Sequence, residues 1–340
     1  MDAVQLTIPS SIEHLSQILT GFLMLKEQGL EVAFSMAEQN HPFAGMPVIL
    51  GQYRGKQVIY DLWDGYQEPE QIRRGLESCD FYFKRSFSQE KNQQLFPQWV
   101  EKMHPLGFNY HLSYPGDPVQ EPGWKALVKP LMGRTPDKYF VPGVFEGKAE
   151  RKPGQPAKIL FLTRLWDDHD PKLSAEDNAE RTRINTERIQ IIRTLRSRYG
   201  EDFFGGLNDT PLSRSLAPEL IVPAKYTERK KYLKLLHSSD ICIGTMGLYE
   251  SIGWKTGEYV AAAKAIVHDP LCYSVPGNFA QEKNYLVFTD AESCIDQVAR
   301  LAEDAQERYA MQQANEAYYR RYLRPDRLVG NTLAVMGGQD

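Results

Sequence analysis

Cysteine is scarce in this sequence: Cys79, Cys242, Cys272 and Cys294 lie far apart, with no CxxC pair and no histidine at zinc-site spacing. That excludes a disulfide framework and a zinc finger, and it suits buried thiols in a reducing compartment. Long apolar runs are missing as well, since no stretch approaches the roughly 18 residues a membrane-spanning helix needs. Met1 to Pro9 lack the basic region and apolar run of a signal peptide, so the expected location is cytoplasmic, with peripheral contact to a membrane surface left open. Neither sign of charge dominates. The formal net charge of -4 and a pI near 6.0 offer nucleic acid no overall attraction, although a local basic pocket can still hold phosphate. No glycine-rich loop follows the first strand-like run, and there is no short repeat or low-complexity tract.

What is present describes a globular protein. Of the 340 residues, 42% are hydrophobic and 25% charged, enough to bury two cores of roughly 150 residues each. Val4 to Ile8 reads as a strand, and Ser10-Ser11-Ile12-Glu13 matches the capping box that opens a helix. Leu30 to Phe34 begins a second strand, completing a βαβ unit. Pro47 to Trp63 alternates strand-like runs with turns at Gly51 and Gly55. Glu68 to Ser78 reads as a helix and Asp80 to Lys84 as a strand.

Between Pro115 and Pro156 proline and glycine accumulate and periodicity fades, which places the domain boundary near residue 150. Beyond it, strands at Lys158 to Thr163, Phe203 to Gly206, Asp240 to Gly244, Ala265 to His268 and Tyr285 to Phe288 alternate with helical segments at about Ala179 to Tyr199, Tyr226 to His237 and Trp254 to Lys264. Helices follow from about Ala291 to Arg320. This alternation predicts a doubly wound, mostly parallel sheet.

In such sheets ligands bind beyond the carboxyl ends of strands, where helix N-termini present free amides to phosphate. The strand Asp240 to Gly244 leads into Thr245-Met246-Gly247-Leu248-Tyr249-Glu250-Ser251-Ile252-Gly253-Trp254-Lys255-Thr256-Gly257-Glu258. Two carboxylates eight residues apart flank the start of a helix, and each can accept two hydrogen bonds from a vicinal diol. Leu248-Tyr249-Glu250, Gly253 and Glu258 resemble the E-x7-E signature of the GT-B nucleotide-sugar glycosyltransferases of the group 1/4 type. Ser251, Lys255, Ala263 and Ala265 depart from the family's usual residues.

The resemblance covers roughly Lys158 to Leu301 and implies a GT-B fold, two Rossmann-like domains facing a central cleft. Residues 1-150 would form the acceptor-side domain, 151-315 the nucleotide-sugar domain, and 316-340 a helix returning to the first domain. It further implies that Glu258 binds the ribose and Glu250 the donor sugar, with Gly247, Leu248 and Gly253 against sugar and phosphates. Arg164, after the second domain's first strand, would meet the diphosphate. Lys255 is not implied by the resemblance, but as a point charge near a helix start it could neutralise the diphosphate leaving group. Arg181, Arg183 and Arg188 form a further basic group, more simply read as a solvated helix face.

The function expected is transfer of a sugar from a nucleoside diphosphate sugar to a hydroxyl of a glycan, lipid-linked or small-molecule acceptor. The resemblance favours retention of configuration, with no cofactor and no essential metal. Asp167-Asp168-His169-Asp170 is read as a polar loop. An inverting reaction would need a base, for which His14 and Asp61 are the candidates, with Asp64 beside the latter. Two alternatives share the fold: a nucleotide-sugar epimerase and a non-catalytic sugar-nucleotide-binding protein.

Overall fold

The computed structural model describes residues 3–119 and 140–338, so part of the proline- and glycine-rich stretch lies outside the described residues. In the first domain β1 (Ala3–Ile8) pairs parallel with β2 (Glu31–Met36) and antiparallel with β3 (Val48–Tyr53). Next come β4 (Lys56–Asp61), β5 (Phe81–Lys84) and β6 (Met103–Pro105), in the order β2-β1-β3-β4-β5-β6. Strand β3 runs against both neighbours, because β3 and β4 form a hairpin closed by Arg54 and Gly55 at φ 50° and 74°. Gly51, expected to turn, lies inside β3 opposite Val58. A Cβ there would approach Val58 Cγ1 to 2.7 Å, so close packing and not a turn calls for glycine.

The expected capping box is not formed. Ser10 donates its hydroxyl to the Met46 carbonyl at 2.7 Å, Glu13–Leu15 make a 3-10 turn without a side-chain cap, and α1 starts only at Ser16 (Ser16–Glu27). Among the described residues of this domain the helices α2 (Pro69–Ser78) and α3 (Gln89–Leu95) follow.

The second sheet is parallel throughout: β7 (Ile159–Thr163), β8 (Phe203–Leu207), β9 (Ile241–Gly244), β10 (Ala265–His268) and β11 (Leu286–Val287), ordered β11-β10-β9-β7-β8. Ile159 to Thr163, Ile241 to Gly244 and Ala265 to His268 are buried at every position, as strands covered by helices on both faces must be. The covering helices are α4 (Ala175–Tyr199), opened by a true capping box of Ser174 and Asp177, then α5 (Pro211–Leu216), α6 (Arg229–Ser238), α7 (Trp254–Ala261), α8 (Ala291–Glu303) and α9 (Ala305–Tyr318). Asp304 divides the last two by accepting from the Gln306 and Glu307 amides.

After a π turn at Tyr319–Leu323 the chain returns to the first domain as α10 (Pro325–Met336), packed on α1. Gln17 Nε2 donates to the Leu323 carbonyl at 3.1 Å, and the Tyr60 hydroxyl meets Thr332 Oγ1 at 2.9 Å. Gly21 permits this crossing, since a Cβ on it would sit 2.3 Å from the Pro325 carbonyl oxygen. Gly21→Ala is therefore expected to cost about 1–3 kcal/mol, the usual range for overpacking, read as a lowered urea midpoint.

One apolar core runs through both domains, joining Leu6, Ile18 and Tyr110 to Leu160, Leu236 and Tyr259 and to Leu323 and Leu328 of the returning segment. An interface of that character fixes the domains against each other. Among the described residues no helix is long and apolar enough to cross a membrane.

Candidate functional site

The order β10-β9-β7-β8 reverses its connection direction between β7 and β9, which makes that gap the switch point where a doubly wound sheet opens a crevice. Two loops meet there, Arg164 to Trp166 after β7 and Thr245 to Gly253 after β9. A narrow pocket at this point is lined by Arg188, Thr245, Met246, Gly247 and Asp269.

The second loop is tightly held. The Met246 amide donates to both Asp269 carboxylate oxygens at 2.9 Å, and the Gly247 amide to the Ser251 carbonyl at 2.7 Å. A Cβ on Gly247 would lie 2.6 Å from Ser251 Oγ, so a side chain there would force that hydroxyl to turn away. Leu248 begins a single 3-10 turn in which Tyr249 and Glu250 are both left-handed, at φ 58° and 59°, a region non-glycine residues rarely adopt. Gly253 is the N-cap of α7 and supplies no side-chain cap, and the first turn holds no acidic residue, so the positive end of that helix is not neutralised from within.

Three cations gather at this point. Arg164 is exposed, lies 3.9 Å from the Trp166 ring, and has no carboxylate partner among the described residues. Arg188 is buried. Its guanidinium ties the two loops together by donating to the Arg164 carbonyl at 2.7 Å, to Thr245 Oγ1 at 2.8 Å and to the Met246 carbonyl at 3.1 Å, while its Nε has no partner among the described residues. Burial pushes it down to about 10, with Asp269 opposing and Arg164 adding. Lys255 donates to the Leu162 carbonyl, and burial lowers it to about 8, opposed by Glu258 and reinforced by Arg188 and Arg164. Arg181 and Arg183 stay on the solvent face, on the Asp167 carbonyl and Glu187.

Glu258 does not project into open space. It is 4% exposed, accepts the Tyr232 hydroxyl at 2.6 Å and stands 3.6 Å from Arg229 Nη2. Burial raises its carboxyl, against the pull of Arg229, Tyr232 and Lys255. Arg229 and Tyr232 reach it together because they are three residues apart on α6. Arg229 also donates to the His111 carbonyl of the first domain and packs against the rings of Phe140 and Phe145. Glu250 is set apart from this network: it is partly exposed and paired with Lys91 of α3 at 2.8 Å. Arg229, Tyr232 and Lys91 carry no signal in the sequence, because nothing local distinguishes them from other helix residues.

The candidate bases fare differently. Asp61 is corrected. It is buried at 1% exposure and its carboxylate is taken up by Lys84 Nζ at 2.8 Å, the Tyr82 hydroxyl at 2.8 Å and the Trp63 amide at 2.8 Å, so it holds β4 to β5 and offers nothing to a substrate. Lys84, equally buried, is consumed with it. Asp64 pairs with Arg85, which also donates to the Ile252 carbonyl across the crevice. His14 does reach the second domain, its ring edge 4.9 Å from Trp254 at the start of α7. Burial first, then Arg85, holds its imidazole below the usual range, leaving it neutral at physiological pH. His111 stacks on the same indole at 5.7 Å.

The acidic loop at Asp167 to Asp170 serves structure. Asp168 accepts from His169 at 2.9 Å, Thr182 at 3.2 Å and Asn185 at 3.4 Å, fastening the loop to α4. Among the described residues no group of three or more His, Cys, Asp or Glu is arranged to hold a metal ion.

No protein-family model matches the chain, and no curated protein matches it. Solved structures are similar at a distance. The C-terminal domain of a glycosyl transferase group 1 family protein (LpcC) from Francisella tularensis aligns at 14% identity and a TM-score of 0.35, over 53% of this chain and 96% of that one. HepE of Anabaena, in complex with UDP, aligns at 10% identity and a TM-score of 0.47 over 98% of each chain. A putative UDP-N-acetylglucosamine 2-epimerase from Listeria monocytogenes aligns at 12% and 0.45, over 100% of this chain and 98% of that one. These likenesses are too distant to carry a ligand or an activity across, and the strand orders themselves define the fold. The protein is an α/β chain of two Rossmann-like domains, of which the first carries one reversed strand.

Proposed function

We propose that the protein transfers a sugar from a nucleoside diphosphate sugar to an acceptor hydroxyl, with the diphosphate at the switch point of the second sheet. The observation that carries this reading is the convergence of Arg164, Arg188 and Lys255 on the N-terminus of α7, with Arg164 lacking a carboxylate partner among the described residues. Cations and free amides at one point suit a diphosphate, as resting ligand and as leaving group, and in this reading they do the work a metal does elsewhere. Glu258, below them, accepts the ribose hydroxyls once Tyr232 or Arg229 yields a hydrogen-bonding position, and Glu250 takes the sugar. With retention of configuration the departing diphosphate receives the acceptor's proton. With inversion that task falls to His14, whose neutral ring lies at the start of α7. The acceptor, a glycan, lipid-linked or small-molecule hydroxyl compound, approaches from the first domain.

Isothermal titration with UDP, GDP, ADP and dTDP tests the reading directly: one of the four is expected to bind, and binding by none sinks the proposal. Sugar transfer is then followed by release of that diphosphate in the presence of acceptors. Epimerised donor, or binding without turnover, would identify one of the two alternatives. The pH dependence is specific. Lys255 carries its charge below about 8 and loses it above, so affinity for the diphosphate is expected to fall as pH rises through that value, and Lys255→Met should flatten the fall.

A further inference from the structure

The geometry points to Lys91, a first-domain residue, as the second half of the sugar subsite: with Glu250 it forms an ion pair that spans the two domains and selects a neutral sugar hydroxyl. This rests on the sugar-nucleotide reading above and adds to it a specificity-determining residue from the opposite domain.

Three observations support the assignment. Lys91 Nζ meets Glu250 Oε2 at 2.8 Å, yet both side chains remain accessible, at 40% and 46% exposure, so a ligand can reach the pair without dismantling it. The pair is also built rather than incidental. Ser88 caps α3 by accepting the Lys91 amide at 3.3 Å, the Phe87 carbonyl accepts the Ser274 amide at 2.8 Å, and Arg85 donates to the Ile252 carbonyl. The segment from Arg85 to Lys91 therefore meets the loop that carries Glu250 at both of its ends, Arg85 on Ile252 and Lys91 on Glu250, and is tied between them to Ser274. Finally, the left-handed backbone at Tyr249 and Glu250 is a costly conformation, held by the Tyr273 hydroxyl on the Tyr249 carbonyl at 3.0 Å. Tyr273 and Tyr66 place their rings 5.3 and 5.9 Å from the Lys91 ammonium, which fixes where its charge sits.

The chemistry of the pair defines what it takes. A hydroxyl donates its proton to the Glu250 carboxylate while accepting from the ammonium, satisfying both partners at once. A carboxylate on the sugar has no proton for Glu250, and a deoxy position satisfies neither group. The sugar recognised is accordingly an uncharged hexose with a hydroxyl at the bridged position.

The experiment is a comparison of increments. Affinities of UDP and UDP-glucose, GDP and GDP-mannose, ADP and ADP-glucose, and dTDP and dTDP-glucose are measured by calorimetry for the full chain and for Lys91→Ala and Lys91→Arg. In the unmodified protein one sugar nucleotide is expected to bind more tightly than its bare diphosphate. Lys91→Ala should lower that ratio by about tenfold, the scale of a hydrogen bond to a charged group, while leaving the bare diphosphate unchanged. Lys91→Arg should restore part of it. A ratio untouched by Lys91→Ala, or an equal loss for the bare diphosphate, overturns the assignment of Lys91 alone. Failure of all four diphosphates to bind removes the underlying reading and this inference with it.

Discussion

Glu258→Ala is expected to destabilise the protein by about 1–3 kcal/mol, the cost of a buried polar group left unsatisfied, and to weaken nucleotide binding strongly. The first effect follows from burial. Removing the carboxylate leaves the buried Tyr232 hydroxyl without its acceptor, while Arg229, a quarter exposed, loses a counter-charge but keeps the His111 carbonyl. The second follows from the ribose role proposed for it. The two are separated by Glu258→Gln, which keeps the shape and can still accept from Tyr232 and so retains most of the stability. Urea melts give the first quantity and calorimetry with the diphosphate that binds gives the second. If the Glu258→Gln protein binds that diphosphate as well as the unmodified chain does, the carboxylate is structural and the ribose lies elsewhere.

Lys84→Met should have a larger effect on stability and none on chemistry. Its ammonium is the counter-charge of Asp61 in the middle of the first sheet, and methionine would leave the Asp61 carboxyl buried without that partner, held by Tyr82 and the Trp63 amide. A loss of about 3–5 kcal/mol is expected, with a melting temperature lower by on the order of 10 °C. Adding Asp61→Asn removes the stranded carboxyl and should recover a large part of the loss, since deleting both charges is far cheaper than deleting one. A double variant no better than Lys84→Met would show that the charge is not the cause. Nucleotide affinity and the rate of sugar transfer, measured below the melting transition, should be unchanged in both, whereas loss of a catalytic Asp61 would lower the rate.

The second domain is largely legible in the sequence because its strands are short, fully apolar runs between amphipathic helices, a pattern set locally. Its site loop is legible for the same reason, being one contiguous segment from Thr245 to Glu258. The first domain is harder. Gly51 reads as a turn because glycine marks turns far more often than it marks close packing between strands, and its contact with Val58 belongs to the folded hairpin. Asp61 looks free in the sequence because its fate is decided by Tyr82 and Lys84 on the adjoining strand. Glu250 and Lys91 are separated by 159 positions, and Glu258 is covered by side chains of another helix, so neither environment can be anticipated from neighbours in the chain. Ser10 illustrates the same limit at a helix start: the capping pattern is present, but a carbonyl 36 residues away claims the hydroxyl.

The return of α10 onto α1 bears on the order in which the protein can be made. A ribosome releases the first domain's strands well before it reaches Pro325, yet Gln17 and Gly21 of α1 lie against Leu323, Pro325 and Val329 of the returning segment. During synthesis at roughly 5–20 residues per second, that side of α1 waits through the whole of the second domain. The nascent first domain therefore passes many seconds with an open seam, a window in which a chaperone has something to hold and after which arrival of α10 locks both domains in one step.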